Sequence, residues 1–72
     1  MNMIRGLLFD NNIDFIEYHK EISFTVDNIS YEIICRNNSF YLSSFNELDS
    51  SIINLSFIEL INKIKMLGGG SM

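Results

Sequence analysis

The sequence lacks several features that mark whole classes of protein. It contains one cysteine, no proline and no tryptophan in 72 residues. A single cysteine cannot form an internal disulfide, and no basic stretch followed by an apolar stretch opens the chain, so we expect neither a disulfide scaffold nor a secreted protein. No apolar run approaches the roughly 20 residues that a membrane-spanning helix needs. These absences predict a soluble, cytoplasmic protein that does not enter a membrane.

Basic residues are also scarce. Five Lys and Arg residues stand against nine Asp and Glu residues, which gives a net charge of -4. This charge repels phosphate backbones, and the basic footprint that nucleic-acid binding requires is missing. We therefore expect no direct binding to DNA or RNA. The same charge attracts a protein with a basic surface, such as an enzyme that handles nucleic acids.

The residue patterns of catalytic, metal and cofactor sites are missing too. No Cys, His and Asp residues have the spacing of metal ligands, and no glycine-rich loop precedes a helix. His19, the only histidine, is either a general acid or base or an exposed strand residue, and we favour the second because no nucleophile accompanies it. Cys35 falls on the inward side of its strand, where a thiol packs as a small apolar group. The sequence predicts no enzyme, no metal and no cofactor.

The residues that are present suffice for one small domain. Apolar residues make up 47% of the chain, with six Phe and three Tyr, although a chain of this length is near the lower limit for a single apolar core. Residues 68–72 change abruptly to Gly and Ser, which predicts a flexible tail added to a domain over 1–67. The abundance of Ile, Asn, Ser and Phe is typical of AT-rich codons and favours a bacterial, phage or plasmid origin.

Alternation of apolar and polar residues predicts three β-strands. It runs over 16–26, where the even positions are mostly apolar, continues over 29–35 on the odd positions, and resumes at 40–42. The intervening Asp-Asn at 27–28 and Asn-Asn at 37–38 tolerate a positive φ, so each favours a two-residue type I′ hairpin turn.

These two turns agree on one face of the sheet, because each pairs apolar residues with apolar residues. The pairs are Val26 with Ile29, Phe24 with Tyr31, Ile22 with Ile33, Cys35 with Phe40 and Ile33 with Leu42. A shift of one residue would turn a whole strand over, so the agreement predicts a three-stranded antiparallel meander with one apolar face.

A helix at each end of the chain supplies a cover for that face. The first follows Asn2 as N-cap, with Ile4 and Leu8 on one side. The second begins at a capping box formed by Ser56 and Glu59 and carries an apolar stripe: Phe57, Leu60, Ile61, Ile64 and Leu67. Residues 46–53 fit either a loop or an extra helical turn. The predicted fold class is α+β, in the order α-β-β-β-α, with both helices on one face of the meander.

The other face of the meander is the candidate partner-binding surface. Strand parity sends five residues there that combine carboxylates with apolar and aromatic groups: Glu17, Glu21, Glu32, Ile34 and Tyr41. Such a mixture is typical of a protein-binding patch with a polar rim. Two alternatives stay open, an ordinary solvated surface and a face covered by the N-terminal helix or by a second copy of the chain.

The element order and charge over Met1 to Leu67 resemble small phage-encoded anti-CRISPR proteins, which block Cas nucleases by imitating nucleic-acid charge. The resemblance implies that carboxylates such as Glu17, Glu21 and Glu32 engage a basic groove and exclude DNA or guide RNA. The same order is similar to HicA-type toxins, small ribonucleases with a catalytic histidine on the first strand, where His19 stands. Tyr18-His19-Lys20 replaces the Gly-Ser-His setting of that family.

The sequence therefore predicts a non-enzymatic inhibitor or adaptor from a phage or mobile element, with a basic protein as its partner. Two alternatives remain: a HicA-like ribonuclease toxin that uses His19, and a small structural or antitoxin-like protein that forms homo-oligomers.

Overall fold

The turn chemistry of the chain divides it into two helices and five strands. The computed structural model describes residues 2–68. In chain order the elements are α1 (Asn2–Asp10), β1 (Phe15–Tyr18), β2 (Glu21–Val26), β3 (Ile29–Arg36), β4 (Ser39–Phe45), β5 (Ser50–Leu55) and α2 (Phe57–Gly68). The strands form one antiparallel sheet in the order β1-β2-β3-β4-β5. The α+β class is thus confirmed, and the three-stranded meander becomes a five-stranded one.

The two Asn-rich hairpin turns form as predicted. Val26 pairs with Ile29 across the first turn, and Cys35 pairs with Phe40 beside the second. All four turn residues have a positive φ, between 51° and 66° at 27–28 and 37–38. A positive φ at both central positions belongs to the type I′ turn, whose twist matches that of the flanking strands.

The predicted long strand over 16–26 is wrong, because the chain reverses at His19-Lys20. Tyr18 pairs with Glu21, so β1 and β2 form a third hairpin with a two-residue turn. His19 has a φ of 53°, a conformation that histidine adopts more readily than β-branched residues do. The first strand of the sheet is therefore β1, and His19 lies in the turn that follows it.

Residues 46–53, which the sequence left open, form a turn and most of an additional strand. The Asn46 side-chain Oδ1 accepts hydrogen bonds from the backbone N–H groups of Leu48 (2.8 Å) and Asp49 (2.9 Å). This Asx-type turn returns the chain so that Ser50 pairs with Phe45, and β5 joins the edge of the sheet beside β4.

Helix α1 ends in a Schellman motif formed at Asn11, Asn12 and Ile13. The N–H of Ile13 donates to the carbonyl of Leu8 at 2.9 Å, and the N–H of Asn12 donates to that of Phe9 at 3.1 Å. Asn12 has a φ of 60°, as the C′ position of this motif requires. Ile13 is buried, so the motif also anchors the helix to the core.

Helix α2 begins at the predicted capping box. The Ser56 N–H donates to Glu59 Oε1 at 2.9 Å, and the Glu59 N–H donates to Ser56 Oγ at 3.2 Å. The helix includes Gly68, one residue beyond the predicted domain boundary, and an added Cβ there would lie 2.6 Å from Asn11 Cβ. The rest of the predicted tail, 69–72, lies outside the described residues.

One core joins both helices to the same face of the sheet. Its buried members are Ile4, Leu8, Ile13, Ile22, Phe24, Tyr31, Ile33, Leu42, Leu60 and Ile64. Phe24 and Tyr31 stack at a centroid distance of 5.2 Å. Ile61, which the apolar stripe also directs inward, is only half-buried. The inner face therefore carries the stability of the domain, and the opposite face is left for other contacts.

Among the described residues, neither helix is long and apolar enough to cross a membrane.

Candidate protein-binding face

The sheet face opposite the helices, which we call the open face, is not covered by any element of residues 2–68. None of its residues is buried, and the strand register arranges them in rows across the sheet. From β1 to β5 the first row holds Tyr18, Glu21, Ile34, Tyr41 and Asn54, and the second holds Ile16, Ser23, Glu32, Ser43 and Ile52. A third, shorter row holds Thr25, Ser30, Phe45 and Ser50, and Arg36 and Ser39 share the face on the other side of the first row.

Four of the five residues proposed from the sequence lie on the open face. Glu21, Ile34 and Tyr41 are neighbours in the first row, and Glu32 is at the centre of the second. All four are half-buried, because neighbouring side chains on a sheet shield one another. The register of β2, β3 and β4 brings these residues together, and it follows from the two type I′ turns that the sequence predicted.

Glu17 is the exception, and its predicted position on the open face is wrong. It pairs with Ile22, a core residue, so its side chain is on the helix side of the sheet. There its Oε1 lies 3.3 Å from Nη1 of Arg5 in α1, and 26% of the side chain is exposed. The turn at His19-Lys20 is the physical reason, since a hairpin that pairs Tyr18 with Glu21 reverses the parity that a continuous strand would have.

The same reversal brings to the open face two residues that the sequence had placed in the core. Ile16 pairs with Ser23, Tyr18 pairs with Glu21, and both residues are exposed. Tyr18 thus starts the row that holds Ile34 and Tyr41. Two phenol rings and an aliphatic side chain then share that row with one carboxylate, which gives the open face more apolar surface than the sequence predicted.

The two carboxylates of the open face are close to each other and have no ionic partner in the part of the chain that the structure describes. Glu21 is opposite Ile34, and Glu32 is opposite Ser23, so the two glutamates occupy diagonal positions on adjacent strands. Diagonal Cα atoms in an antiparallel pair are about 7–8 Å apart. Neither glutamate forms an ion pair with any residue of 2–68. Arg36 occupies the other diagonal position of Glu21, whereas Glu32 has no basic residue in a neighbouring position of the register. Of the two, Glu32 is therefore the more available to a Lys or Arg side chain of a partner.

A shallow cleft opens at the end of the sheet where the His19-Lys20 and Asn37-Asn38 turns meet. Arg5, Lys20 and Arg36 line it, so it gathers three of the five basic residues of the chain. His19 lines the cleft as well and is exposed in its turn. Glu17 and Glu21 also line the cleft. Their negative charges oppose the binding of an anion there.

Within residues 2–68, no three His, Cys, Asp or Glu side chains are grouped so that they could hold a metal ion. Cys35 is half-buried and unpaired, on the inner face where parity predicted it. No protein-family model, curated protein sequence or solved structure matches this chain.

Proposed function

We propose that this chain is a non-enzymatic protein-binding protein, an inhibitor or adaptor, that binds a basic protein partner through the open face. The observation that carries the proposal is the first row of that face, where Tyr18, Ile34 and Tyr41 accompany the unpaired Glu21. Aromatic groups supply contact area at low entropic cost, and the carboxylates select a basic partner.

The shape of the open face favours a macromolecular partner. Five strands at about 4.8 Å spacing make a surface about 19 Å wide, and the molecule itself measures 30 × 27 × 22 Å. Small ligands are bound in concave pockets that bury most of their surface. The cleft that Tyr18, Glu21 and Ile34 line at one end of the open face is shallow, and the rest of the sheet face suits the extended contact that a protein surface offers.

The charge of the chain favours a basic partner. The net charge of -4 and the unpaired Glu21 and Glu32 act in the same direction. Complementary charges raise the association rate and suppress partners of the wrong sign. A basic groove that normally holds nucleic acid satisfies this requirement, since it is already shaped to accept negative charge.

The narrower form of the proposal is a phage or mobile-element inhibitor of a nuclease such as a Cas effector. Its support is the unpaired carboxylates of the open face, which would compete with phosphates for Lys and Arg. A DNA-cleavage assay with a guide-loaded Cas9-type nuclease tests this form. We expect the wild-type chain to slow cleavage and Glu21→Lys/Glu32→Lys to lose the effect, and unimpeded cleavage with both would exclude this nuclease as the target.

The general form is tested by comparing three baits in bacterial lysates. These are the wild type, Glu21→Lys/Glu32→Lys, and a control with one charge reversed outside the open face, Glu47→Lys. Glu47 is an exposed residue of the β4–β5 turn. We expect a basic protein on the wild-type and control baits and its loss from the open-face variant. Equal recovery on all three folded baits would show that the open face is not the binding site.

A further inference from the structure

Glu32 occupies the middle of the open face, on the central strand β3 and in the second row. Ser23 is opposite it on β2, and Ser43 is opposite it on β4. Hydrogen-bonded pairs alternate with others from the closing pair of a two-residue hairpin, here Val26 and Ile29, which makes Ser23 and Glu32 a non-hydrogen-bonded pair. The Cα atoms of such a pair are only about 4.5 Å apart, so the serine hydroxyl and the carboxylate are close neighbours.

The side-chain oxygens of this group are not used within the chain. Neither the Glu32 carboxylate nor the hydroxyls of Ser23 and Ser43 form a side-chain hydrogen bond with any residue of 2–68. Arg36, the only basic residue of β3, is about 13 Å from Glu32 along the strand. All three side chains are half-buried. Donors of a partner would therefore meet acceptors that no group of the described chain already occupies.

Two aromatic rings flank these acceptors on one side. Tyr41 and Phe45 stand on β4, before and after Ser43, and both are diagonal to Glu32. Diagonal positions are about 7–8 Å apart, which is within reach of aromatic side chains. Because serine is short, Ser43 leaves room above the sheet between the two rings. A planar cation bound by Glu32 would have a ring face beside it.

We propose, as an extension that rests on the proposed function, that Glu32, Ser23 and Ser43 bind an arginine side chain of the basic partner. We call these three residues the Glu32 subsite. A guanidinium group has five N–H donors in one plane and no acceptor. Two of the donors pair with a carboxylate in parallel, and the serine hydroxyls on either side accept from the others. The flat face of the guanidinium stacks on aromatic groups, which Tyr41 and Phe45 supply.

Lysine and metal ions match the Glu32 subsite less well. An ammonium group is a compact, strongly hydrated point charge with three donors, so it makes poorer use of a planar set of acceptors and of the rings. A metal ion needs more ligands than one carboxylate, and within residues 2–68 no three His, Cys, Asp or Glu side chains are grouped for one. The chemistry of the subsite therefore favours a guanidinium.

Glu21 has the same charge but different neighbours. Tyr18 and Ile34 are opposite it, and Arg36 is diagonal to it. It therefore has no serine hydroxyl opposite it and shares its field with a basic residue of the same chain. We expect Glu21 to attract the partner at longer range and Glu32 to make the specific contact.

NMR titrations of the isotopically labelled full chain test the Glu32 subsite without the partner. The probes are N-acetyl-arginine-N-methylamide and the lysine compound of the same design, which carry equal charge. We expect the arginine probe to shift the side-chain carboxyl signal of Glu32 saturably, with a Kd at least about threefold lower than that of the lysine probe. Equal Kd values for the two probes, or no saturable shift at Glu32, would overturn the proposal.

Substitutions show which atoms hold the arginine probe, after circular dichroism has verified that each variant folds. Glu32→Gln should abolish the saturable shift of the neighbouring backbone amides, whereas Glu47→Gln removes the same charge from the β4–β5 turn and should bind as wild type does. Ser23→Ala/Ser43→Ala keeps the net charge and should reduce the preference for arginine over lysine. Its control is Ser39→Ala, on the open face but not beside Glu32. An unchanged preference in the double variant would overturn the assignment of an arginine.

Binding to the partner separates failure of the Glu32 subsite from failure of the proposed function. We expect Glu32→Gln to raise the Kd for the basic protein recovered by the wild-type bait at least about tenfold, as the loss of a charged hydrogen-bonded pair does. A partner that binds Glu32→Gln as tightly as wild type, yet is lost from Glu21→Lys/Glu32→Lys, would overturn the subsite and support the proposed function. Saturable arginine binding at Glu32, with no basic protein on any bait, would support the subsite and overturn the proposed function.

Discussion

At the residue scale, His19 determines which side chains the open face carries. Its positive φ lets the chain reverse between Tyr18 and Glu21. The alternation of apolar residues gives no sign of this turn, because it continues in phase from Ile16 to Val26. At the Asp27-Asn28 turn the apolar positions shift from even to odd, as a two-residue turn requires when both strands contribute to one core. No such shift from even to odd positions occurs at the His19-Lys20 turn, and Ile16 and Tyr18 therefore face outward.

Substitutions at His19 distinguish the turn from a continuous strand by the sign of their effect. Glycine suits a positive φ, so we expect His19→Gly to keep or raise the thermal midpoint. A β-branched residue is strained in this conformation, so His19→Val should lower the unfolding free energy by about 1–2 kcal/mol. In a continuous strand the order would be reversed, since strands favour valine and disfavour glycine. Thermal denaturation of both variants decides between them.

Glu17 shows how the same turn changes the interpretation of a single carboxylate. Its partner is Arg5, whose side chain is 45% exposed, so solvent screens the pair and it contributes less than about 1 kcal/mol. We expect Glu17→Gln to reduce the urea midpoint slightly at low salt and hardly at all at high salt. Partner binding should stay at the wild-type level, and weakened binding in a folded variant would return Glu17 to the candidate site.

At the element scale, the sequence predicts those elements that begin or end at a recognisable turn or capping motif. The hairpins at 27–28 and 37–38 and the start of α2 at Ser56 are of this kind. β5 was missed because Ile52 and Ile53 are adjacent and face opposite sides, so the strand has no alternation. The residue that could have predicted β5 is Asn46, because its Asx-type turn reverses the chain after β4.

The capping box of α2 predicts a dependence of stability on pH. The backbone N–H of Ser56, and secondly its hydroxyl, hold the pKa of Glu59 below its ordinary value of 4.5. A lowered pKa in the folded state stabilises the fold above the ordinary value, and this contribution is lost as pH falls through the folded-state value. Urea denaturation should therefore show Glu59→Gln less stable than wild type at neutral pH and equal to it in strong acid. A gap that persists in acid would contradict this origin.

A substitution at Ser56 tests the start of α2 without removing a titrating side chain. Its hydroxyl and backbone satisfy groups at the first turn of α2, so Ser56→Ala should cost about 1 kcal/mol of unfolding free energy. Ser56→Asp, which retains a capping oxygen, is the matched control and should stay close to wild type in the same urea titration.

The packing of α2 predicts opposite outcomes for two nearby apolar residues. Leu60 is fully buried, whereas Ile58 is 70% exposed. Leu60→Ala leaves a cavity in the shared core and should cost about 2–5 kcal/mol, most of the stability of so small a domain. Ile58→Ala should lower the unfolding free energy by only a few tenths of what Leu60→Ala costs. Similar thermal midpoints for the two variants would contradict the orientation of the helix.

At the scale of the whole molecule, the chain puts its stability on one side of the sheet and its unpartnered groups on the other. The core needs Ile33 and its neighbours on the inner face, together with both helices. The open face, with Glu21, Glu32, Ile34 and Tyr41, contributes to no core and makes no ion pair among residues 2–68. Substitutions there should spare the fold, so their effects on binding are interpretable.

The kinetics of binding to the basic protein recovered by the wild-type bait test the central claim most directly. Association and dissociation rates of folded variants are measured by surface plasmon resonance at several salt concentrations. Glu21→Lys/Glu32→Lys should chiefly slow association and flatten its salt dependence, because such charges steer the encounter. Tyr18→Ala and Tyr41→Ala should instead speed dissociation about tenfold or more, as expected for aromatic anchors. Rates equal to wild type in all of these variants, with a loss of binding in Glu47→Lys, would place the site on the β4–β5 turn and contradict the account.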